Sequence, residues 1–239
     1  MIEDAKSGAA LPIGPQVDAS VAQRPGRTTL RGRLVTLAPL DPAAHGDALY
    51  AATRGEAADQ LWMYLFEGPF SNRADFDLHL RWMAASDDPL FLAILDAASG
   101  DALGYAAYMR IEPVHRVIEV GSILYTPRLQ HTVLATEAMY LMARHVFEDL
   151  GYRRYEWKCN ALNAPSRRAA LRFGFTFEGI FRQHMIVKGR NRDTAWFSML
   201  DSEWPARKAN FERWLDPSNF GSDGRQKTAL SALNRAPAR

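Results

Sequence analysis

The stretch Arg153-Arg154-Tyr155-Glu156-Trp157-Lys158-Cys159-Asn160-Ala161-Leu162-Asn163-Ala164-Pro165-Ser166-Arg167-Arg168-Ala169-Ala170-Leu171-Arg172-Phe173-Gly174-Phe175 decides how this chain is read. Its first third alternates apolar and polar side chains and predicts a strand. Asn163 predicts a helix N-cap, Pro165 sits in the first turn where a missing N–H costs nothing, and Gly174 is the stop. A cap of this kind leaves free backbone N–H groups beside a strand end, where an extended, amide-bearing ligand can hydrogen-bond. Taken alone, the cap reads as that of an ordinary strand–helix unit, and the pattern around it shifts the balance.

The period of the flanking sequence extends the pattern in both directions. Leu34 to Leu37 predicts a strand, Asp41-Pro42 opens a helix through Tyr50, and further helical regions surround Leu61 to Tyr64 and run from about Asn72 to Ala85. Pro89 to Leu95 reads as a buried strand that turns at Ser99-Gly100 into Leu103 to Ile111, and Val117 to Tyr125 is another strand. From Ala135 the apolar residues Met139, Met142, Val146 and Leu150 recur at three- and four-residue spacing, which predicts a long amphipathic helix stopped by Gly151. After Phe175 two strands, Thr176 to Val187 and Asp193 to Leu200, join through Lys188-Gly189-Arg190-Asn191. A last helix covers Ser202 to Leu215, with Trp204 and Trp214 packed on the sheet or across a dimer, so monomer and homodimer both stay open.

Composition bounds the function. The chain has 239 residues, enough for a proper core, and 47% hydrophobic content without an apolar run of membrane length. The first residues lack a basic, then apolar, then small-residue export signal, and the single cysteine, Cys159, excludes an internal disulfide; both predict a cytoplasmic protein. The six histidines are scattered without ligand spacing, so no metal is expected. Residues 1–29, rich in Ala, Gly and Pro, and the polar tail 216–239 are expected to be flexible extensions around one domain at 30–215. Between Gly151 and Asp193, Arg153, Arg154, Lys158, Arg167, Arg168, Arg172, Arg182, Lys188, Arg190 and Arg192 outnumber Glu156, Glu178 and Asp193. That excess reads as a solvated basic face or as a surface for a polyanion. The aromatic residues fall in strand-like alternation, not as a stacking platform, which argues against nucleic acid.

The order of elements and four landmarks carry a resemblance. The landmarks are Ile118-Glu119-Val120-Gly121, Thr136-Glu137-Ala138-Met139, Asn163-Ala164-Pro165-Ser166 and Gly174-Phe175-Thr176-Phe177-Glu178-Gly179. In this order and spacing, roughly from Leu30 to Leu215, the chain resembles the GNAT acyl-CoA N-acyltransferases, in their RimJ/RimL-like branch. The resemblance implies an α+β fold: a mixed, mostly antiparallel seven-stranded sheet flanked by helices, with the fourth and fifth strands splayed. It implies an acetyl-CoA-dependent N-acetyltransferase, with acetyl-CoA as co-substrate and no metal. The acceptor would be the primary amine of a small metabolite or of a protein N-terminus. Two other readings stand beside it: a non-catalytic acyl-CoA-binding module, and an enzyme acting on the ribosome or on charged tRNA.

The same resemblance assigns roles. Gln130, His131, Thr132, Val133, Leu134, Ala135 and Thr136 match the pyrophosphate loop, where helix N–H groups and the positive dipole end face phosphate. Val133 stands where the family usually has Gly, and His131 or Arg128 is a candidate for compensating charge. The Leu124 or Tyr125 amide is expected to polarise the thioester carbonyl at a strand bulge near Leu124 to Thr126. Glu119 is the candidate base, although an acidic residue there also reads as a solvent-facing strand Glu. Ala170 stands where many members have a tyrosine acid. Ser166, three residues after Asn163, matches the serine that holds the leaving sulfur, and both residues belong to the expected cofactor site. Tyr64, Glu67 and His184 are expected to meet the acceptor, and Arg182 is placed beside His184.

Overall fold

The computed structural model describes residues 11–55 and 58–235. Strands β1 (Leu30–Arg31) and β2 (Val35–Pro39) are followed by helices α1 (Pro42–Ala52), α2 (Ala58–Trp62) and α3 (Arg73–Ala85). Then come β3 (Leu90–Asp96), β4 (Ala102–Glu112), β5 (Val117–Tyr125) and α4 (Val133–Arg144), which ends in a π-helical turn at His145–Asp149. The second half is β6 (Arg154–Asn160), α5 (Ala164–Phe173), β7 (Thr176–Val187), β8 (Arg190–Leu200), α6 (Trp204–Leu215), a 3-10 turn (Pro217–Asn219) and α7 (Leu230–Arg235). One sheet runs in the order β1-β2-β3-β4-β5-β6-β8-β7. Its neighbours are antiparallel except β5 and β6, which are parallel because α4 carries the chain back between them. The sheet has eight strands where seven were expected; the extra one is the two-residue β1, too short to leave a periodic signal.

Local chemistry sets the helix starts. Asp41, Asn72 and Asn163 accept from the amides of Ala43 (2.9 Å), Asp75 (2.9 Å) and Ser166 (3.1 Å) respectively. Gly174 ends α5 at φ 93°, a conformation that costs a residue with Cβ about 1 kcal/mol or more. Strand alternation then builds two cores. Leu92, Ile94, Ala106, Tyr108, Ile118, Val120, Tyr155, Trp157 and Phe197 face α4 to α7. Phe91, Ala93, Tyr105 and Ala107 face the opposite way and pack with Leu49, Trp62, Phe76 and Leu80 of α1 to α3.

The terminal segments depart from expectation. Residues 1–10 and 236–239 lie outside the described residues. Within the N-terminal extension, the Ala22 and Gln23 amides bond to Pro113 O (3.1 Å) and Leu150 O (2.9 Å), and Arg27 reaches Ala84 O at 2.7 Å. The tail expected to be a loose appendage folds back: Leu230 and Leu233 are buried, Arg207 donates to Asn234 O (2.9 Å), and Asn234 to Arg172 O (2.9 Å). Two leucines three residues apart give α7 an apolar stripe that α5 and α6 cover. Trp204 and Trp214 also pack within the chain, Trp204 bonding to Glu148 and Trp214 to Gln226. Among the described residues, no helix is long and apolar enough to cross a membrane.

One carboxylate fastens α4 to the start of the sheet. Glu137 is buried and accepts from three successive amides, Arg33 (3.0 Å), Leu34 (2.6 Å) and Val35 (2.9 Å). Replacing it strands those donors, and each unsatisfied buried donor costs about 1–3 kcal/mol. Urea denaturation of Glu137→Ala is therefore expected to show a loss on the order of 3 kcal/mol or more. A loss below about 1 kcal/mol would show that water satisfies the loop instead.

Candidate active site

β5 and β6 are paired only over Val117–Arg154 to Val120–Trp157, and beyond that point they separate. The cause lies in β5. Opposite β4, Gly121 pairs with Ala107 and Leu124 with Tyr105, so Ser122 and Ile123 together oppose one residue. Ser122 takes φ 46°. The bulge falls at Ser122–Ile123, upstream of the expected Leu124 to Thr126, because the extra residue enters before the strand leaves its partner. It also inverts the alternation: Ile118 and Val120 face α4, but Leu124 packs against the α1–α3 core.

The gap opens into a cleft of about 1250 Å³. One wall is Gly121 to Tyr125, the opposite wall Trp157 to Asn160, and the cleft ends at Gln130 to Val133 and at Thr136 on the start of α4. Main-chain direction along β5 is fixed by its other neighbour. Thr126 N–H bonds to Leu103 O (3.1 Å) and Leu124 O lies against Gly104, so the even residues turn to β4. The odd ones, Ile123 and Tyr125, face the gap, and Tyr125 O accepts from Gln130 Nε2 at 2.8 Å. Of the two expected amides, Leu124's is directed to β4 and Tyr125's to the cleft.

At the start of α4, Thr132 is the N-cap: its hydroxyl accepts from Ala135 N (3.2 Å) and donates to Leu129 O (2.7 Å). The Ala135 amide is thus spent, and the Val133 and Leu134 amides are the first-turn donors without a helix carbonyl. His131 adopts the left-handed φ of 62° just ahead of the cap, the backbone freedom that a glycine usually supplies. Leu134's side chain does not line the cleft; it packs into the core. Arg128 is held at the surface by Asp101 at 2.9 Å. The cation that reaches the first turn is Arg172, from α5: it donates to Thr136 Oγ1 at 3.0 Å and lies over the Trp214 ring at 4.8 Å.

Ser166 lines the opposite wall, where Trp157 Nε1 donates to its Oγ at 3.0 Å. The indole uses a lone pair and leaves the hydroxyl proton free to donate. Cys159 is beside it, and burial pushes its thiol up, as befits a packed side chain and not a nucleophile. Ala170 is fully buried in the core.

On the sheet face turned away from α4, charges form a row. Glu119 is 2% exposed and its Oε2 accepts from Arg110 (2.7 Å) and Lys158 (2.9 Å). Lys158 also bonds to Glu156 (2.6 Å), Glu156 to Arg154 (2.6 Å), and Arg154 to Glu178. Glu119 Oε1 has no protein donor among the described residues. Burial pushes the Glu119 carboxyl above its usual range, and Lys158 and Arg110 offset this only in part. Glu119 is therefore no solvent-facing strand residue.

The segment after α2 roofs this face. Tyr64 donates to Leu162 O (3.3 Å), and Lys188 on the β7–β8 turn donates to Trp62 O (2.9 Å) and Glu67 O (3.0 Å). Tyr64 lines the cleft; Glu67 lines a side pocket of about 140 Å³ with His79, Trp82 and Tyr105. His184 lines neither. A bulge in β7 between Phe181 and Met185 carries Arg182 to His184 outward, and His184 Nδ1 meets Thr194 Oγ1 at 3.0 Å. The sequence reading missed Arg110, Lys158, Arg172 and Arg192 in the cleft, and also Phe220 and Arg225 of the tail. The basic excess between Gly151 and Asp193 was the available signal for three of them.

Comparison with known proteins agrees with this geometry. A family model described as an acetyltransferase (GNAT) domain matches residues 35–176. A crystal structure of a GCN5-related N-acetyltransferase from Brucella melitensis superposes with a TM-score of 0.89 at 53% identity, covering 91% of this chain and 98% of that one. A probable GNAT-family acetyltransferase from Chromobacterium violaceum gives 0.76 at 41% identity over 84% of this chain and all of the other. The ribosomal-protein-serine acetyltransferase of Escherichia coli is 30% identical over 104 residues, 43% of this chain; the match spans only 58% of that relative's length. The chain belongs to the GNAT acetyltransferase family.

Proposed function

We propose that the protein is an acetyl-CoA-dependent N-acetyltransferase acting on the primary amine of a small metabolite or of a protein N-terminus. The observation that carries this reading is that one cleft joins the amides heading α4, the gap between β5 and β6, and the carboxylate of Glu119. The residues fit the co-substrate. The Val133 and Leu134 amides with Arg172 suit a diphosphate, the parted edges of β5 and β6 suit an amide-bearing arm, and Tyr125 N–H suits a thioester carbonyl. When bound, acetyl-CoA supplies an activated acyl group. Glu119 Oε1 takes the proton that an ammonium acceptor must lose, and the Ser166 hydroxyl donates to the departing sulfur. Arg110 and Lys158 hold Glu119 in place and, as cations near the acceptor, favour its neutral, nucleophilic form.

Calorimetric titration is expected to give saturable acetyl-CoA binding, weakened about tenfold or more in Arg172→Ala, since a hydrogen bond to a charged group is worth about 1.5–3 kcal/mol. Absence of binding to the native protein would defeat the reading. The pH–rate profile is expected to have an acidic limb above the usual carboxylate range: Glu119 must be ionised to act, and its raised pKa leaves it protonated below that point. Glu119→Gln should remove the limb and lower kcat by about 10²–10⁴-fold. An unchanged limb would assign the base elsewhere. Ser166→Ala should slow turnover by about 10²-fold and leave acetyl-CoA affinity in place, as measured by thiol release and by titration.

A further inference from the structure

Arg192, on the acceptor side of the cleft, has no ion-pair partner among the described residues. The row Arg154, Glu156, Lys158, Glu119, Arg110, Glu178 holds three cations and three carboxylates in mutual contact and is neutral as a set. Arg192, on β8 facing the same side of the sheet, lies outside it. The residue is 7% exposed and lines the cleft, yet its Nε is buried without a hydrogen-bond partner, and no carboxylate among the described residues comes within ion-pair distance. The Phe66 ring, in the roof segment, lies 5.0 Å from its guanidinium carbon. Holding an unpaired charge out of water costs several kcal/mol, so a fold that keeps one at the edge of a cleft keeps it for an arriving anion.

The position selects which anion. The phosphate-binding groups, Val133, Leu134 and Arg172, are at the α4 end of the gap, whereas Arg192 is on the face that carries Glu119, where the amine must enter. The one charge of the guanidinium matches a monoanion, and Glu119 and Glu156 nearby disfavour a dianion such as a phosphate ester. A planar guanidinium backed by an aromatic ring offers its edge to a planar oxyanion. We infer that the acceptor is an amine that also carries a carboxylate, and that Arg192 binds that carboxylate while Glu119 faces the amine. The carboxylate belongs either to a free amino acid or to an acidic side chain following a peptide's terminal amine. This inference rests on the N-acetyltransferase reading and narrows it.

The test compares matched acceptors with saturating acetyl-CoA, reading thiol release. L-Serine, L-aspartate and L-glutamate are set against their carboxamides, and a Ser-Asp-Ala amide peptide against Ser-Asn-Ala amide. The expected result is a preference of about 100-fold in kcat/KM for the carboxylate member of the free or of the peptide pairs, whichever source is used. In Arg192→Gln that preference should vanish through a higher KM, with acetyl-CoA affinity unchanged. Arg192→Met should melt no lower than the native protein, because it removes a charge that has no partner before the acceptor arrives. Equal turnover of carboxylate and amide acceptors, or a preference that survives Arg192→Gln, overturns the inference. If acetyl-CoA binds and no amine turns over, the transferase reading fails instead. Thermal shifts with N-acetyl-aspartate and its diamide then decide the site, and a carboxylate shift that does not depend on Arg192 refutes it.

Discussion

The parting of β5 from β6 after Val120–Trp157 is the constraint on which the rest of the molecule depends. Parallel strands joined by a helix ordinarily stay in register along their length, because each unpaired main-chain group costs free energy. Here the extra residue at Ser122 turns β5 away while β4 still holds its outer edge through Leu124 and Thr126. The result is a wedge with main-chain donors and acceptors along it and both cores intact behind it. Trp157, Phe173 and Phe175 continue the α4-side core beneath one wall, and Leu124 anchors the other to the α1–α3 core. The wedge is therefore stiff, and a ligand entering it finds hydrogen-bonding groups already in position, with little ordering cost left to bear.

The charged row follows from the same geometry. Past Glu119 the helices α1 to α3 no longer cover the sheet, so the face formed by β6 and β8 carries the polar side chains Glu156, Lys158, Thr194 and Ser198 in strand alternation, with the Trp196 ring among them. Lys158 is nevertheless 6% exposed, lying over the Trp196 ring at 4.0 Å between two carboxylates. Removing one member of such a chain leaves its neighbour buried and unpaired, which costs more than the pair contributes when whole. That asymmetry fixes Glu119 in one rotamer with one oxygen occupied and the other open. On the proposed reading a carboxylate held by two cations is well positioned as the base, and burial raises its pKa against them.

Much of this was legible in the sequence where a single residue type has a single local use. Asn163, Pro165 and Gly174 bounded α5, Asp41 and Asn72 marked the starts of α1 and α3, and the limits of β5 and β7 were read correctly. The family landmarks brought Glu119, Tyr125, Gln130, Thr132, Val133, Asn163 and Ser166 to one cleft. What escaped depends on facts that no local pattern carries. A bulge of one residue at Ser122 leaves the hydropathy of β5 unchanged while inverting which side chains face which core. The bulge at Arg182 to His184 moved an expected acceptor contact off the cleft. The tail looked polar because only Leu230 and Leu233 need to be apolar once α5 and α6 already exist to receive them. Arg172 and Arg192 were visible as charge, but not as neighbours of Thr136 and Phe66, since those contacts join segments far apart in the chain.

The roof joins segments far apart in the chain. Lys188, at the β7–β8 turn, spends two donors on the Trp62 and Glu67 carbonyls, while Tyr64 reaches Leu162 beside the α5 cap. The segment between α2 and α3 is thus held from two sides, by its main chain at Lys188 and by the Tyr64 hydroxyl at Leu162, and Tyr64 and Phe66 line the cleft. Phe66 backs Arg192, so the same segment that covers the Glu119 face also sets the plane of that guanidinium. The α4 end of the cleft is closed by a different device: Trp214, Phe220 and Arg225 bring the C-terminal segment to it beside Arg172. A core GNAT match that ends at residue 176 includes neither Arg192 nor this tail. On the proposed reading, acceptor choice and the outer wall of the co-substrate site accordingly fall to residues beyond the matched span, while the wedge and Glu119 lie within it.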